Sequence, residues 1–215
     1  HDAWWICARQ FMVNDKGRYC YQRKIDLDVC SRCVPQPAMN PYRQYRLHEV
    51  LTGAALMLSP SKFFAGVYAD NGFDPERLRV NKNGIVKPAS AIHREPPSTR
   101  PLRFGFVGGE GPIKGSALIK KAFAGLPHTN YELHVVDNEL NLGRRSIFES
   151  NWKIPGTFKA VPAYSQETID SFFGSIDVLL FPTQWKESFG LSVREALIRD
   201  VWVIATDAGG VIEDI

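Results

Sequence analysis

Glu187 and Glu195 stand eight positions apart around the segment Ser188-Phe189-Gly190. The first follows Leu179-Leu180-Phe181-Pro182, which reads as a buried strand ending in a polar loop. The second falls in a helix that opens at Gly190, about two turns on from Glu187 at 3.6 residues per turn. At such a helix start the amides of Phe189, Gly190 and Leu191 are expected to point at whatever anion sits there. One carboxylate beside an anion site and another a few ångströms further along suits a nucleotide sugar. Glu187 would accept hydrogen bonds from sugar hydroxyls, the amides would hold the diphosphate, and Glu195 would take the ribose hydroxyls.

A second chemistry-bearing stretch is Phe106-Val107-Gly108-Gly109-Glu110-Gly111-Pro112-Ile113-Lys114-Gly115, a strand running into a flexible turn before a helix. Gly108 and Gly109 let backbone amides approach an anion closely, and Lys114 could complete a diphosphate clamp. The turn is neither a Walker A loop nor a Gly-x-Gly-x-x-Gly fingerprint, and by itself it serves tight packing equally well.

Four cysteines, Cys7, Cys20, Cys30 and Cys33, fall within the first 33 residues. Cys30-x-x-Cys33 has the knuckle spacing of a structural zinc site, whereas the first two are too far apart for a standard ribbon. Structural zinc, two disulfides and free thiols all stand as readings, and a reducing compartment favours metal over disulfide.

These residues need elements to position them, and residues 102–215 supply a regular alternation. Strands are expected at Leu102–Val107, Tyr131–Val136, Val178–Phe181 and Trp202–Ala205. Helices are expected at Ser116–Ala124, Gln166–Phe173 and Leu191–Ile198. That order implies right-handed crossovers and an α/β fold: a Rossmann-like parallel sheet with helices on both faces and ligands beyond the C-terminal strand ends. Earlier, Ala54–Leu58 reads as a short strand, Ser61 as the cap of a helix closed by Asn71-Gly72, and Leu78–Ile85 as another strand. Residues 1–50 read as irregular and basic. Four prolines between Lys87 and Pro101 mark a linker, giving domains 1–95 and 96–215. His1-Asp2-Ala3 reads as the end of a strand, and Gly209-Gly210-Val211 as the start of a helix, so the chain is expected to be a fragment of a longer protein.

Composition bounds these readings. With 215 residues, 44% hydrophobic and 23% charged, the chain can bury a core, and disorder, collagen and disulfide miniatures are excluded. No apolar run approaches the roughly 20 residues of a membrane span. The net charge of +3 does not suggest a nucleic-acid partner. It is unevenly spread: residues 1–100 carry 15 Lys and Arg against 9 Asp and Glu, and residues 101–215 carry 11 against 14. A basic first half fits a solvated face, or contact with phosphate or an anionic membrane surface.

The run Glu187-Ser-Phe-Gly-Leu-Ser-Val-Arg-Glu195 resembles the donor-site motif of the family-4 retaining glycosyltransferases of GT-B fold. The similarity extends through Gly108–Gly115, Ile176–Pro182 and Val203–Glu213, and covers residues 102–215. It implies that residues 96–215 form the nucleotide-sugar donor domain and that 1–95 are the truncated end of an acceptor domain. His1-Asp2-Ala3-Trp4 is similar to the family's His-Asp segment, whose His faces the donor sugar. The resemblance implies catalytic roles for Glu187, Lys114 and His1, with Gly108, Gly109, Phe189, Gly190, Leu191 and Glu195 binding the donor. It implies no cofactor for catalysis and a glycan or lipid-linked acceptor, as in bacterial surface polysaccharide or lipopolysaccharide synthesis. The enzyme is then cytoplasmic, or peripheral on the inner membrane face, and this fragment alone is expected to transfer no sugar. Two departures stand out: Gly109 occupies a position where many members carry Arg, and Asp200 and Trp202 replace a common Gly and Pro. The rival readings are an inactive nucleotide-binding or scaffold module of the same fold, and a zinc-stabilised interaction domain fused to an α/β domain.

Overall fold

The computed structural model describes residues 1–215 and divides into two compact units. The first gathers His1–Gly84 with the later segments Gln184–Gly190 and Asp207–Ile215; the second holds Ile85–Thr183 and Leu191–Thr206. The chain thus enters the second unit at Ile85, ahead of the 95/96 boundary expected from the prolines. It does so because the proline-rich stretch is fastened to that unit. The Ala89 amide donates to Asp170 at 3.2 Å, and the Arg94 guanidinium donates to the carbonyls of Phe173, Ile176 and Arg199 at 2.8–3.1 Å.

The first unit contains α1 (Leu27–Cys30), α2 (Asn40–Thr52), β1 (Met57–Ser59), α3 (Lys62–Asp70) and β2 (Leu78–Val80). β1 and β2 pair in parallel with Met57 opposite Leu78. The expectation that residues 1–50 are irregular is corrected by α2, which runs for 13 residues. Tyr42, Tyr45 and Val50 of this helix are exposed, so no apolar stripe betrays it in the sequence. α3 starts where its cap predicts: Ser61 Oγ accepts from the Phe64 amide at 3.1 Å. The Glu213 carboxylate adds a second cap, accepting from the amides of Lys62 and Phe63 at 3.0 and 2.6 Å. Gly72 closes the helix with φ +88°, as foreseen. The core here is small, built on Ala3, Ile6, Met12, Phe64, Val67 and Phe73.

The second unit contains β3 (Leu102–Phe106), α4 (Ser116–Ala124), β4 (Tyr131–Asp137), β5 (Thr157–Pro162), α5 (Ile169–Gly174), β6 (Val178–Phe181), α6 (Leu191–Leu197) and β7 (Trp202–Ala205). All five strands are parallel in the order β5-β4-β3-β6-β7. β5 lies in what reads as a loop, because Lys159 and Pro162 interrupt its apolar pattern. Phe106, Phe123, Leu133, Val135 and Trp152 form a continuous core, and Phe173, Ile176 and Leu179 are buried completely. Strand order reverses between β3 and β6, so the crevice beyond their C-terminal ends is the natural ligand position of such a sheet.

Two carboxylates anchor this unit. Burial disfavours the charged form of Asp177, yet hydrogen bonds from Arg100 at 2.7 and 2.8 Å and from Arg103 hold it well below the usual carboxylate range. Burial also opposes ionisation of Asp137, and donors on Ser146, Ile147 and Glu139 override it to bring the carboxyl to about 2. No helix is long and apolar enough to cross a membrane.

Candidate functional site

In the first unit Glu187 is held at both ends of its peptide. Its amide donates to the Ala208 carbonyl at 2.9 Å and its carbonyl accepts from Gly210 at 3.0 Å, a parallel bridge centred on Gly209. Glycine is required at 210, since a Cβ there would lie 2.2 Å from the Ser188 carbonyl oxygen. The carboxylate itself is aimed by a neighbour: Trp185 Nε1 donates to Glu187 Oε1 at 2.7 Å. Trp185 is in turn set edge-on against Phe11, ring centroids 4.5 Å apart.

Glu187 and Trp185 line a cavity of about 200 Å³ together with His1, Asp2, Phe11 and Lys186. His1 and Glu187, 186 positions apart in sequence, thus share one wall-to-wall space. Lys186 reaches away to Asp207, meeting its carboxylate at 2.9 Å and its carbonyl at 2.7 Å. That bond holds the Asp207 carboxyl below its ordinary value. Phe189 is buried, and Gly190 turns the chain with φ +75° where a Cβ would meet Val211 at 2.7 Å.

In the second unit the turn after β3 is clamped to the end of β6. Gly115 has φ +86°, and a Cβ on it would fall 2.0 Å from the Pro182 carbonyl oxygen. Thr183 Oγ1 donates to the Ile113 carbonyl at 3.1 Å, and Thr206 Oγ1 donates to the Thr183 carbonyl at 2.6 Å. Lys114, half-buried in the 3-10 turn Pro112–Lys114, packs its Cβ beside Gly108, where any side chain would collide with it and with the Phe106 ring. Gly109 has φ +63° and open space around it. Glu195, on α6, accepts at Oε2 from the Tyr164 hydroxyl at 2.9 Å. Burial raises the Tyr164 pKa and the adjacent Glu195 charge raises it further, so the phenol remains a donor.

Residues 90–215 match the profile of the family described as "Glycosyl transferases group 1". The chain belongs to the group 1 glycosyltransferases. Among curated proteins no sequence matches it. HepE (Alr3699) of Anabaena, solved with UDP-glucose, aligns with TM-score 0.59 and 18% identity over 79% of this chain and 50% of HepE. A glycosyltransferase from Rickettsia africae ESF-5 aligns with TM-score 0.59 and 16% identity over 84% of this chain and 50% of its own. The lipopolysaccharide outer core galactosyltransferase WaaB aligns with TM-score 0.57 and 16% identity, covering 88% of this chain and 57% of WaaB. At these identities the likeness is one of fold, the GT-B fold that the two-glutamate motif implies. The chain spans about half the length of these structures.

Within this group 1 glycosyltransferase, sequence reasoning passed over Trp185 and Tyr164, the two side chains that orient Glu187 and Glu195. Trp185 could have been noticed, since it lies two residues from the glutamate it serves. Tyr164 is 31 positions from Glu195, and only the fold joins them. The chain also holds an Asp-x-Asp triplet, Asp26-Leu27-Asp28, in a part of the sequence the donor-site motif does not reach. Asp26 is used there as the N-cap of α1, accepting from the amides of Asp28 and Val29. The four cysteines are free thiols. Burial pushes the Cys7 and Cys30 thiols up from their ordinary values.

Proposed function

We propose that the protein to which this chain belongs transfers a sugar from a nucleotide-diphosphate donor to an acceptor hydroxyl, with retention of anomeric configuration. The observation that carries this reading is the Glu187 carboxylate, hydrogen-bonded by Trp185, on a residue that lines one cavity with His1. A rigidly aimed carboxylate among aromatic walls is suited to sugar hydroxyls, which need an acceptor for each O–H and an apolar surface for the ring face. Glu195, oriented by Tyr164, is assigned the ribose hydroxyls. Lys114 and the amides of Phe189, Gly190 and Leu191 are assigned the diphosphate, as the motif implies.

In the transfer, the bond between the anomeric carbon and the phosphate oxygen breaks while the acceptor oxygen bonds to the same face of the sugar. The acceptor proton passes to the departing diphosphate. Charge grows on that diphosphate, so preorganised donors such as Lys114 lower the barrier. HepE, solved with UDP-glucose, and WaaB, a lipopolysaccharide galactosyltransferase, support a nucleoside-diphosphate sugar donor and an acceptor that is a glycan or lipid-linked glycan. The basic first half is assigned to the inner face of the membrane, reached from the cytoplasm. Absence of salt-sensitive binding of the full-length protein to anionic vesicles would remove that last assignment.

Calorimetric titration with UDP, GDP and ADP in turn tests the donor site. One nucleotide is expected to bind, weakened about tenfold or more in Glu195→Ala, the cost of a charge-assisted hydrogen bond. In the intact enzyme Glu187→Ala is expected to lower turnover by about 100-fold or more, and proton NMR of the product to show the donor's anomeric configuration. Unchanged turnover in Glu187→Ala sinks the catalytic assignment. Nucleotide binding without turnover on any acceptor would favour a binding module instead.

A further inference from the structure

All four cysteines of the chain line one cavity of about 510 Å³. It lies within the first unit and borders, but is separate from, the space that holds Glu187. The four thiols reach it from three places in the chain. Cys7 closes a turn in which its amide donates to the Ala3 carbonyl at 2.7 Å. Cys20 follows the Val13–Tyr19 bridge, its amide donating to the Met12 carbonyl at 2.8 Å. Cys30 ends α1, and Cys33 lies on the next turn, its amide 2.9 Å from the Cys30 carbonyl.

The Arg9 guanidinium binds these places together, donating to the Val13 carbonyl at 3.0 Å and the Cys33 carbonyl at 3.2 Å. Gln22 Nε2 faces Cys30 Sγ at 3.8 Å, a donor of the kind that supports a thiolate ligand. Lys16 and Arg32 also line the cavity and supply positive charge. As they stand the thiols ring the cavity and do not converge, so no three of them make a ready coordination set. Occupation requires the walls to draw in, which couples metal binding to the ordering of this region.

We infer that Cys7, Cys20, Cys30 and Cys33 form a structural zinc site. Four sulfur ligands and no histidine suit a soft or borderline metal, and zinc accepts a tetrahedral set without redox demands. The need is local: residues 1–35 hold a single turn of α-helix and one isolated β-bridge, and segments with so little regular structure use metals as staples. The site also has a consequence for its neighbour. Met12 and Tyr19 line both the cysteine cavity and the Glu187 cavity, so a metal on one side steadies the wall carrying Phe11 on the other.

The test is the metal content of the reduced chain, purified without chelator and measured by plasma mass spectrometry. One zinc per chain is expected, lost in Cys30→Ser and in Cys33→Ser. Titration of the metal-free wild-type chain with Co²⁺ keeps the inference open to failure if those variants do not fold. A tetrahedral thiolate site gives a sulfur-to-cobalt charge-transfer band together with intense visible d–d bands, both displaced by one equivalent of Zn²⁺. Absence of bound zinc with no cobalt spectrum overturns the site. So does iron in place of zinc, or an intact mass showing that the thiols have paired as disulfides.

Discussion

The two units solve the same problem of stability with different means. The second packs five parallel strands over a core whose large aromatic members Trp152, Phe106 and Phe173 are almost wholly buried. The first has two strands of three residues each and a small core, and is held by caps, turns and side-chain-to-backbone bonds. Apolar burial is worth about 25 cal/mol per Å² and capping about 1 kcal/mol per helix end, so truncating a fully buried aromatic of the sheet core should cost several times more than removing a helix cap.

The largest effect is therefore expected at Phe173, which is completely buried and contacts Tyr164 and Phe172. Phe173→Ala should destabilise by about 3–5 kcal/mol in urea unfolding, from lost burial plus the cavity left behind. A cost under about 1 kcal/mol would mean that the sheet core is not what carries this unit.

Next in size is the acid response. Asp177 and Asp137 have folded pKa values below their unfolded value of about 3.9. Each therefore contributes stability that is fully present above about pH 4 and is lost as pH falls through the folded value. For Asp137 that value is about 2. Asp177→Asn should cost about 2–3 kcal/mol at pH 7, leaving Arg100 and Arg103 short of a charged acceptor. It should also flatten the decline below pH 4. An unchanged pH profile would assign the acid sensitivity elsewhere.

The same contrast governs what could be read in advance. In the second unit the helix Ser116–Ala124 and the strands Val178–Phe181 and Trp202–Ala205 have the bounds expected, because apolar runs broken by Gly and Pro are physical punctuation. β5 escaped, since an edge strand carrying Lys159 need not be apolar. In the first unit α2 escaped because its neighbours require no apolar stripe from it. At the site, glycines and glutamates were visible as types at a spacing. The residues that aim them, Trp185 and Tyr164, act through hydrogen bonds that carry no sequence signature. The gathering of four cysteines around one cavity was half legible: the Cys30-x-x-Cys33 knuckle shows in the spacing, and the approach of Cys7 and Cys20 depends on the fold.

The smallest effect sharpens the comparison from the other side. Ser61 is buried and caps α3 through its Oγ, while Glu213 accepts from the two amides before Phe64. Ser61→Ala removes one acceptor and leaves the carboxylate in place, so about 1 kcal/mol should be lost. Glu213→Gln keeps an acceptor oxygen but removes the charge that favours a helix N-terminus, and a few tenths of a kcal/mol are expected. The double variant should lose more than the sum, because each cap partly covers for the other. Additive losses in a double-mutant cycle would show the two caps to be independent, and α3 to be held by its buried face, Phe64, Val67 and Tyr68, more than by its start.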